Sequence, residues 1–307
     1  MAIKTIIVAD PGIDTAFAIA LALHDPNIEV LGLLATAGNV NAEQATQNCL
    51  ILNDQLDPPR WPRVGAALPI QYSMDGTIVH GPGGLGGIRF PEIKLHSPIL
   101  ADRLLIELAK EHPKEIAVVC LGPLTTLAVA FERHPELVDL LDRLIIVGGT
   151  WREHGNVGPV SEFHFALDPS AVRAVFRQRI PITVIPLDVT RRLILSPTDL
   201  LSHDDPDNKV CSFLRRIVPF GIRATTNHYG IEGFHLKDVM GVIALARPQA
   251  FSIRSVYADC ETKGELTHGM MVVDTRSTPM DRPNIDLAID VDEMTPRQYF
   301  AETLGWR

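Results

Sequence analysis

Apolar positions recur in this chain with two spacings that alternate along its first two-thirds. Residues 3–9 form an apolar run of strand length. Beyond it, Ala16, Ile19, Ala20 and Leu23 recur at i, i+3, i+4 and i+7, which is one face of a helix. Between them stands Asp10-Pro11-Gly12-Ile13-Asp14, a turn set by proline's fixed φ and glycine's freedom. Asp10 is thus expected where a first strand ends, and Asp14 near the start of the next helix. Further strands are expected over 28–35, 115–121, 144–147 and 181–187, the last with Asp188 at its end. Helices are expected over 42–53, after Gly122-Pro123-Leu124-Thr125-Thr126, over 169–176 and over 239–246. Residues 152–164, rich in Gly and Pro, read as a long loop carrying Asn156, Glu162 and His164. A helix over 211–222 should break near Pro219-Phe220-Gly221, and Asp204-Asp205-Pro206-Asp207 marks a loop. Short strands, turns and a last helix from Pro296 complete the chain.

This alternation predicts an α/β protein with a mostly parallel central sheet, and no linker divides it, so residues 1–307 read as one domain. In such folds ligands bind in the crevice at the carboxyl ends of the strands. Asp10, Asp14, Asn39, Glu162 and Asp238 all fall at or near those ends. Clustered acids there suit a metal, a sugar diol or an activated water. For each residue alone the plain reading is a capping or turn role, since Asp and Asn are favoured at helix starts and turns. Gly81 to Gly86 formally spells GxGxxG, but without a preceding strand or a following helix it reads as a flexible loop. His80 at its edge is a candidate for reaching a ligand, against the plainer reading of a surface histidine.

A net charge of -9 argues against nucleic-acid binding. Four scattered cysteines without a CxxC pair read as buried thiols rather than a zinc site or disulfides. With no signal peptide and no apolar run of membrane-spanning length, the cytoplasm is the default expectation, with no membrane partner.

Several motifs in order carry a resemblance: Asp10-Pro11-Gly12-Ile13-Asp14, Gly38-Asn39-Val40, His80-Gly81, Leu121-Gly122-Pro123-Leu124-Thr125, Ser161-Glu162-Phe163, Lys237-Asp238 and Gly264-Glu265-Leu266-Thr267-His268-Gly269. Together they resemble the inosine-uridine nucleoside hydrolase family, nearly end to end. The resemblance implies a Rossmann-like fold and hydrolysis of a nucleoside's N-glycosidic bond into base and ribose. It also implies a bound Ca²⁺, with Asp10 as both ligand and general base and with the Leu121 carbonyl and Asp238 as further ligands. Asp14, Asn39, Asn156 and Glu162 would bind ribose hydroxyls. A homodimer or homotetramer is usual in such proteins.

Four positions depart from the family's pattern. Val8 stands for an Asp, Thr15 for a metal-binding Asp, His164 for a ribose-binding Asn, and Lys237 for the His before Asp238. Two carboxylates are lost and a cation is gained, so Ca²⁺ is expected to bind weakly or not at all, with the Lys237 ammonium partly taking its electrostatic role. The other reading, to which the persistence of Asp10, Asp238 and the Leu121 turn points, is a retained but weakened metal site in which Lys237 points away and Thr15 supplies a hydroxyl ligand or a bound water. Three functions stay open: an N-ribohydrolase of nucleosides, a binding protein that keeps the ribose pocket, and a hydrolase of another N-ribosyl substrate. His80, His164, His228 and His235 are candidates for assisting the leaving base. Tyr229, His228 and Phe234 are candidates for reading that base, with core packing the plainer fate of Phe234.

Overall fold

The computed structural model describes residues 2–94, 98–202, 207–279 and 281–306. Its centre is a nine-stranded sheet. The chain's strands are β1 (Ile3–Ala9), β2 (Ile28–Ala35), β3 (Arg63–Gly65), β4 (Ala117–Leu121), β5 (Arg143–Val147), β6 (Ile182–Ile185), β7 (Ile194–Leu195), β8 (Phe234–His235), β9 (Phe251–Cys260), β10 (Met271–Asp274) and β11 (Ile285–Val291). The large sheet runs β10-β9-β11-β6-β5-β4-β1-β2-β3, while β7 and β8 pair separately. From β3 across to β11 every neighbour is parallel; only β9 and β10 join antiparallel.

The apolar run of β1 explains its central place. Successive side chains point to opposite faces, so Ile7 and Ala9 join one hydrophobic cluster and Ile6 and Val8 the other. Helices cover both faces. The helix Ile13–His24 lays Phe17 and Ile19 on one, and the helix Ala101–Glu111 lays Leu104 and Leu108 on the other. Burying each such aliphatic or aromatic side chain contributes about 1.5–3 kcal/mol. The last helix, Met294–Leu304, closes onto the first: Phe17 packs against Phe300 and Trp306, and the Tyr299 hydroxyl donates to Asp25 at 2.6 Å.

Strand order reverses at β1. The chain goes outward through β2 and β3, then returns to place β4 on the other side of β1, with Ala9 opposite Leu121. Asp10 therefore leaves the sheet at a topological switch point, where two loops part and a crevice opens.

Three expectations need correction. No break occurs at Pro219: one helix runs Lys209–Tyr229 with Pro219 inside it. Proline forfeits one backbone hydrogen bond, but Leu214, Ile217, Val218, Gly221 and Ala224 are buried along the helix and hold its course. The strand expected over 181–187 ends at Ile185, and Asp188 lies in the short helix Leu187–Thr190. His164 stands not in a loop but in the first turn of the helix Phe163–Leu167. Of the acidic loop expected at 204–207, only Asp207 lies within the described residues. Among the described residues, no helix is long and apolar enough to cross a membrane.

Candidate active site

A cavity of about 510 Å³ opens over the carboxyl ends of the central strands. Asp14, Asn39, His80, Asn156, Glu162, His164, Lys237 and Asp238 line it, together with Tyr229, Phe234 and His235. Asp10 is not in its wall. It lies directly beneath, with no exposed surface, behind Asn39 and His164.

Asp10 is held by the backbone around it. The Asn39 N–H donates to Asp10 Oδ2 at 2.8 Å, and the Asn39 side-chain amide donates to the Asp10 carbonyl at 2.9 Å. Glycines make room: a Cβ at Gly38 would meet Asp10 Oδ2 at 2.0 Å, and one at Gly122 would meet Oδ1 at 3.0 Å. Asp10 Oδ1 is buried with no hydrogen-bond partner, and His164 Nε2 faces it at 3.5 Å. On the ring's other side, Nδ1 faces Glu162 Oε1 at 3.7 Å. Glu162 is fixed as a helix cap, its Oε2 accepting from the Gly149 and Phe165 N–H groups.

These groups perturb one another. Burial pushes the Asp10 carboxyl up from the usual range, opposed by His164. Burial alone would push the His164 imidazole down, but the Asp10 and Glu162 carboxylates outweigh it and raise the ring to about 10. A carboxylate facing each nitrogen favours the protonated form of the His164 ring. Asp238 is pushed well up by burial and by the Asp14 charge.

Thr15 is fully buried, and its hydroxyl donates to Asp238 Oδ2 at 2.5 Å. This bond joins the first turn of the first helix to the residue opening the helix Val239–Ala246, across 223 positions of sequence. Lys237 lines the cavity, and among the described residues no carboxylate lies within 4.0 Å of its ammonium; it is His164, not Lys237, that faces Asp10. Among the described residues, no group of three or more His, Cys, Asp or Glu side chains is arranged to hold a metal ion.

His80 corrects the surface reading. It is buried, and its Nδ1 accepts from the Ile13 N–H at 3.0 Å, so the ring proton sits on Nε2. Its edge meets the Phe234 ring. Burial lowers His80 to about 4, and Asp14 at 3.8 Å only partly opposes this. The ring is therefore neutral at pH 7 and can donate a hydrogen bond but not a proton. His235, lowered to about 4 by burial and by Lys237, behaves alike. A testable consequence concerns stability. Between pH 6.5 and about 4 the unfolded chain takes up a proton at His80 that the folded chain refuses, so stability falls as pH falls through that window. A shift of this size corresponds to about 3 kcal/mol at full effect. Urea unfolding at pH 7 and pH 4.5 should show a smaller acid loss for His80→Gln than for the wild type.

Some functional positions were not singled out in sequence. Asp188 accepts from the Thr150 hydroxyl and from the Trp151, Arg152 and Glu153 N–H groups, bracing the loop that leads to Asn156. Arg191 lines the cavity and donates to the Glu153 carboxylate and to the carbonyls of His154 and Gly155. An acid after a strand was the one sequence signal for Asp188; for Arg191 there was none. Tyr229 and Phe234 reach the cavity, with Phe234 almost wholly buried, whereas His228 is exposed and outside it.

Comparison with known proteins bears on the family and the fold. The model of the inosine-uridine preferring nucleoside hydrolase family matches residues 5–297. The chain is 32% identical over 311 residues to the pyrimidine-specific ribonucleoside hydrolase RihA of Klebsiella pneumoniae subsp. pneumoniae, covering 100% of this chain and 98% of that protein. It is 33% identical over 303 residues to the non-specific ribonucleoside hydrolase RihC of Escherichia coli, covering 96% of each. Among solved structures, a purine-preferring ribonucleoside hydrolase from Gardnerella vaginalis superposes with a TM-score of 0.90 at 27% identity, covering 98% of both chains. A plant nucleoside hydrolase superposes with a TM-score of 0.89 at 29% identity, covering 99% of both. With its Rossmann-like fold, its strand-end carboxylates and this match over nearly its whole length, the chain belongs to the inosine-uridine preferring nucleoside hydrolase family and is a hydrolase of the ribonucleoside N-glycosidic bond.

Proposed function

We propose that the cavity binds a ribonucleoside with its ribose against Asp14, Asn39, Asn156 and Glu162, and that Asp10 is the general base for the attacking water. One observation carries this reading: a fully buried Asp10 with Oδ2 fixed by a backbone N–H and Oδ1 left without a hydrogen-bond partner. A base needs an oriented, unsatisfied oxygen and raised proton affinity, and burial supplies the second. Asn156 Oδ1 is likewise buried and unpartnered, as suits an acceptor for a ribose hydroxyl.

The bond broken joins C1′ to a base nitrogen. Its transition state carries positive charge on the ribose, which neighbouring carboxylates stabilise. Water adds its hydroxyl to C1′ and gives its other proton to Asp10; the base leaves with the electron pair of the glycosidic bond and takes a proton from solvent, and Asp10 later returns its proton to solvent, so that one water is consumed. Neutral His80 and His235 help by hydrogen bonding rather than by proton donation. Lys237 carries positive charge at the wall of the same cavity, where it attracts oxygen or nitrogen acceptors of the substrate. Tyr229 and Phe234 offer ring surface for the base. A role as a binding protein alone leaves the Asp10 arrangement without a purpose.

The donors present do not fit the Ca²⁺ that the resemblance implies: among Asp10, the Leu121 carbonyl, Asp238 and Thr15, the last offers a hydroxyl that is bonded to Asp238. The expected homodimer or homotetramer, the cytoplasmic location and a single domain over residues 1–307 belong to this same proposal.

Ribose release from a panel of purine and pyrimidine ribonucleosides tests the reading, with 2′-deoxynucleosides for comparison. Release from ribonucleosides, at rates falling at least tenfold on loss of the 2′-hydroxyl, is the expected result. Saturable nucleoside binding without any release would replace the hydrolase reading with the binding one.

A further inference from the structure

The acids near Asp10 have made other commitments than a shared metal. Ca²⁺ takes six to eight oxygen ligands and prefers anionic ones. Asp10 Oδ2 already accepts the Asn39 N–H, and Asp10 Oδ1 faces an imidazole nitrogen. Thr15 brings a hydroxyl in place of a carboxylate and directs its hydrogen at Asp238 Oδ2. Of the oxygens named by resemblance, Asp238 Oδ1, the Leu121 carbonyl and Asp10 Oδ1 remain, and the last is overhung by the His164 ring at 3.5 Å. Two substitutions thus act together. One removes a negative ligand, and the other places a ring between Asp10 and Glu162.

We propose that the His164 imidazole, standing 3.5 Å from Asp10 Oδ1 and 3.7 Å from Glu162 Oε1, occupies the place of a divalent cation in this chain, and that the Thr15–Asp238 hydrogen bond closes the rest of that place. The ring is built in rather than adventitious. It stands on the helix whose cap is Glu162, it is buried, and Phe163 packs beside it. Its consequence for chemistry is positional: a ring nitrogen, not a metal, stands 3.5 Å from Asp10 Oδ1. Its consequence for specificity is geometric. A metal can grip both hydroxyls of a ribose diol, whereas one ring nitrogen donates a single hydrogen bond. Lys237, at the cavity wall, is left to the substrate rather than to Asp10.

The inference rests on the reading of Asp10 as part of the reaction site, but its test does not depend on turnover. The wild type is titrated with CaCl₂ calorimetrically after exhaustive dialysis against EDTA and then metal-free buffer. Its melting temperature is measured in 1 mM CaCl₂ and in 1 mM EDTA. The double variant Thr15→Asp/His164→Asn is treated in the same way. The wild type should give no saturable heat up to millimolar Ca²⁺ and the same melting temperature in both buffers. The double variant should bind one equivalent at least a hundredfold more tightly and melt several degrees higher with Ca²⁺. If that variant does not fold, Thr15→Asp alone, with a new carboxylate beside Asp238, reads the same contrast. Stoichiometric Ca²⁺ binding by the wild type overturns the proposal. So does a folded variant that binds no better than the wild type. Absence of ribose release with either calcium result bears on the function proposed above and leaves this inference to the binding data.

Discussion

Asp10→Asn is expected to lower kcat for ribose release by about a thousandfold, the middle of the range for loss of a positioned general base. The substitution is nearly isosteric. The new side-chain carbonyl oxygen can still accept the Asn39 N–H that now reaches Asp10 Oδ2, so the turn after β1 should survive. What is lost is the capacity to take a proton, since an amide is not a base near neutrality. His164 loses one of its two carboxylates in the same step and should become easier to deprotonate. Overall stability should change little, because removing a buried charge offsets the lost attraction to the ring. Steady-state kinetics beside thermal melting separates these effects. Turnover within tenfold of wild type, in a variant that melts normally, would remove Asp10 from the role of base.

Gly38→Ala should be nearly as damaging, and for a purely geometric reason. The added methyl would lie 2.0 Å from Asp10 Oδ2, 2.7 Å from its Cγ and 2.9 Å from its Cβ, all well inside contact distance. Neither neighbour can yield freely. The Gly38 N–H donates to the Val40 carbonyl, and Asp10 is enclosed by β1, Asn39 and Gly122. Something must shift, and the Asp10 carboxylate is the first atom group in the way. A displacement near 1 Å at a reacting group costs on the order of a hundredfold in rate. Overpacking of this kind also costs about 1–3 kcal/mol of stability. The expected signature is a hundredfold fall in kcat with a lowered urea midpoint and unchanged far-UV circular dichroism. Wild-type kcat would mean that the turn relaxes without moving Asp10, and that the glycine serves the backbone alone.

Much of the scaffold was legible locally. The run at residues 3–9 and the helical spacing from Ala16 to Leu23 are each decided by which faces water must leave. The turn Asp10-Pro11-Gly12 is set by local residue types, and Asn39 and Asn48 then brace it by donating to the Asp10 and Pro11 carbonyls. Asp168-Pro169 opens its helix as the position of Asp and Pro at a helix start dictates, the Asp168 side chain accepting from the Ala171 N–H. The helix Ala101–Glu111 also carries a clear apolar face, with Leu104, Leu105 and Leu108 buried along it. Pro219 was weighed as a local breaker and lost to the packing of the buried face around it.

The positions that give this site its particular character were legible only as residue types. His80 reads as a loop histidine until the glycine-rich segment folds back and gives its Nδ1 the Ile13 N–H, 67 positions away. Lys237 looked like the new cation at the site because it adjoins Asp238 in sequence, yet it is His164 whose ring turns toward Asp10. Side-chain direction at a strand end depends on what the neighbouring loops leave open, and no local rule carries that.

Residue order alone was enough to establish alternating strands and helices, the acid at the end of β1 and the family to which the chain belongs, because turn chemistry and apolar periodicity act over a few residues. Strand order in the sheet, with β4 returning beside β1, determined which acids meet. It brought Thr15 to Asp238 and His164 to Asp10, contacts between residues far apart in the chain that form only once the sheet has closed its core.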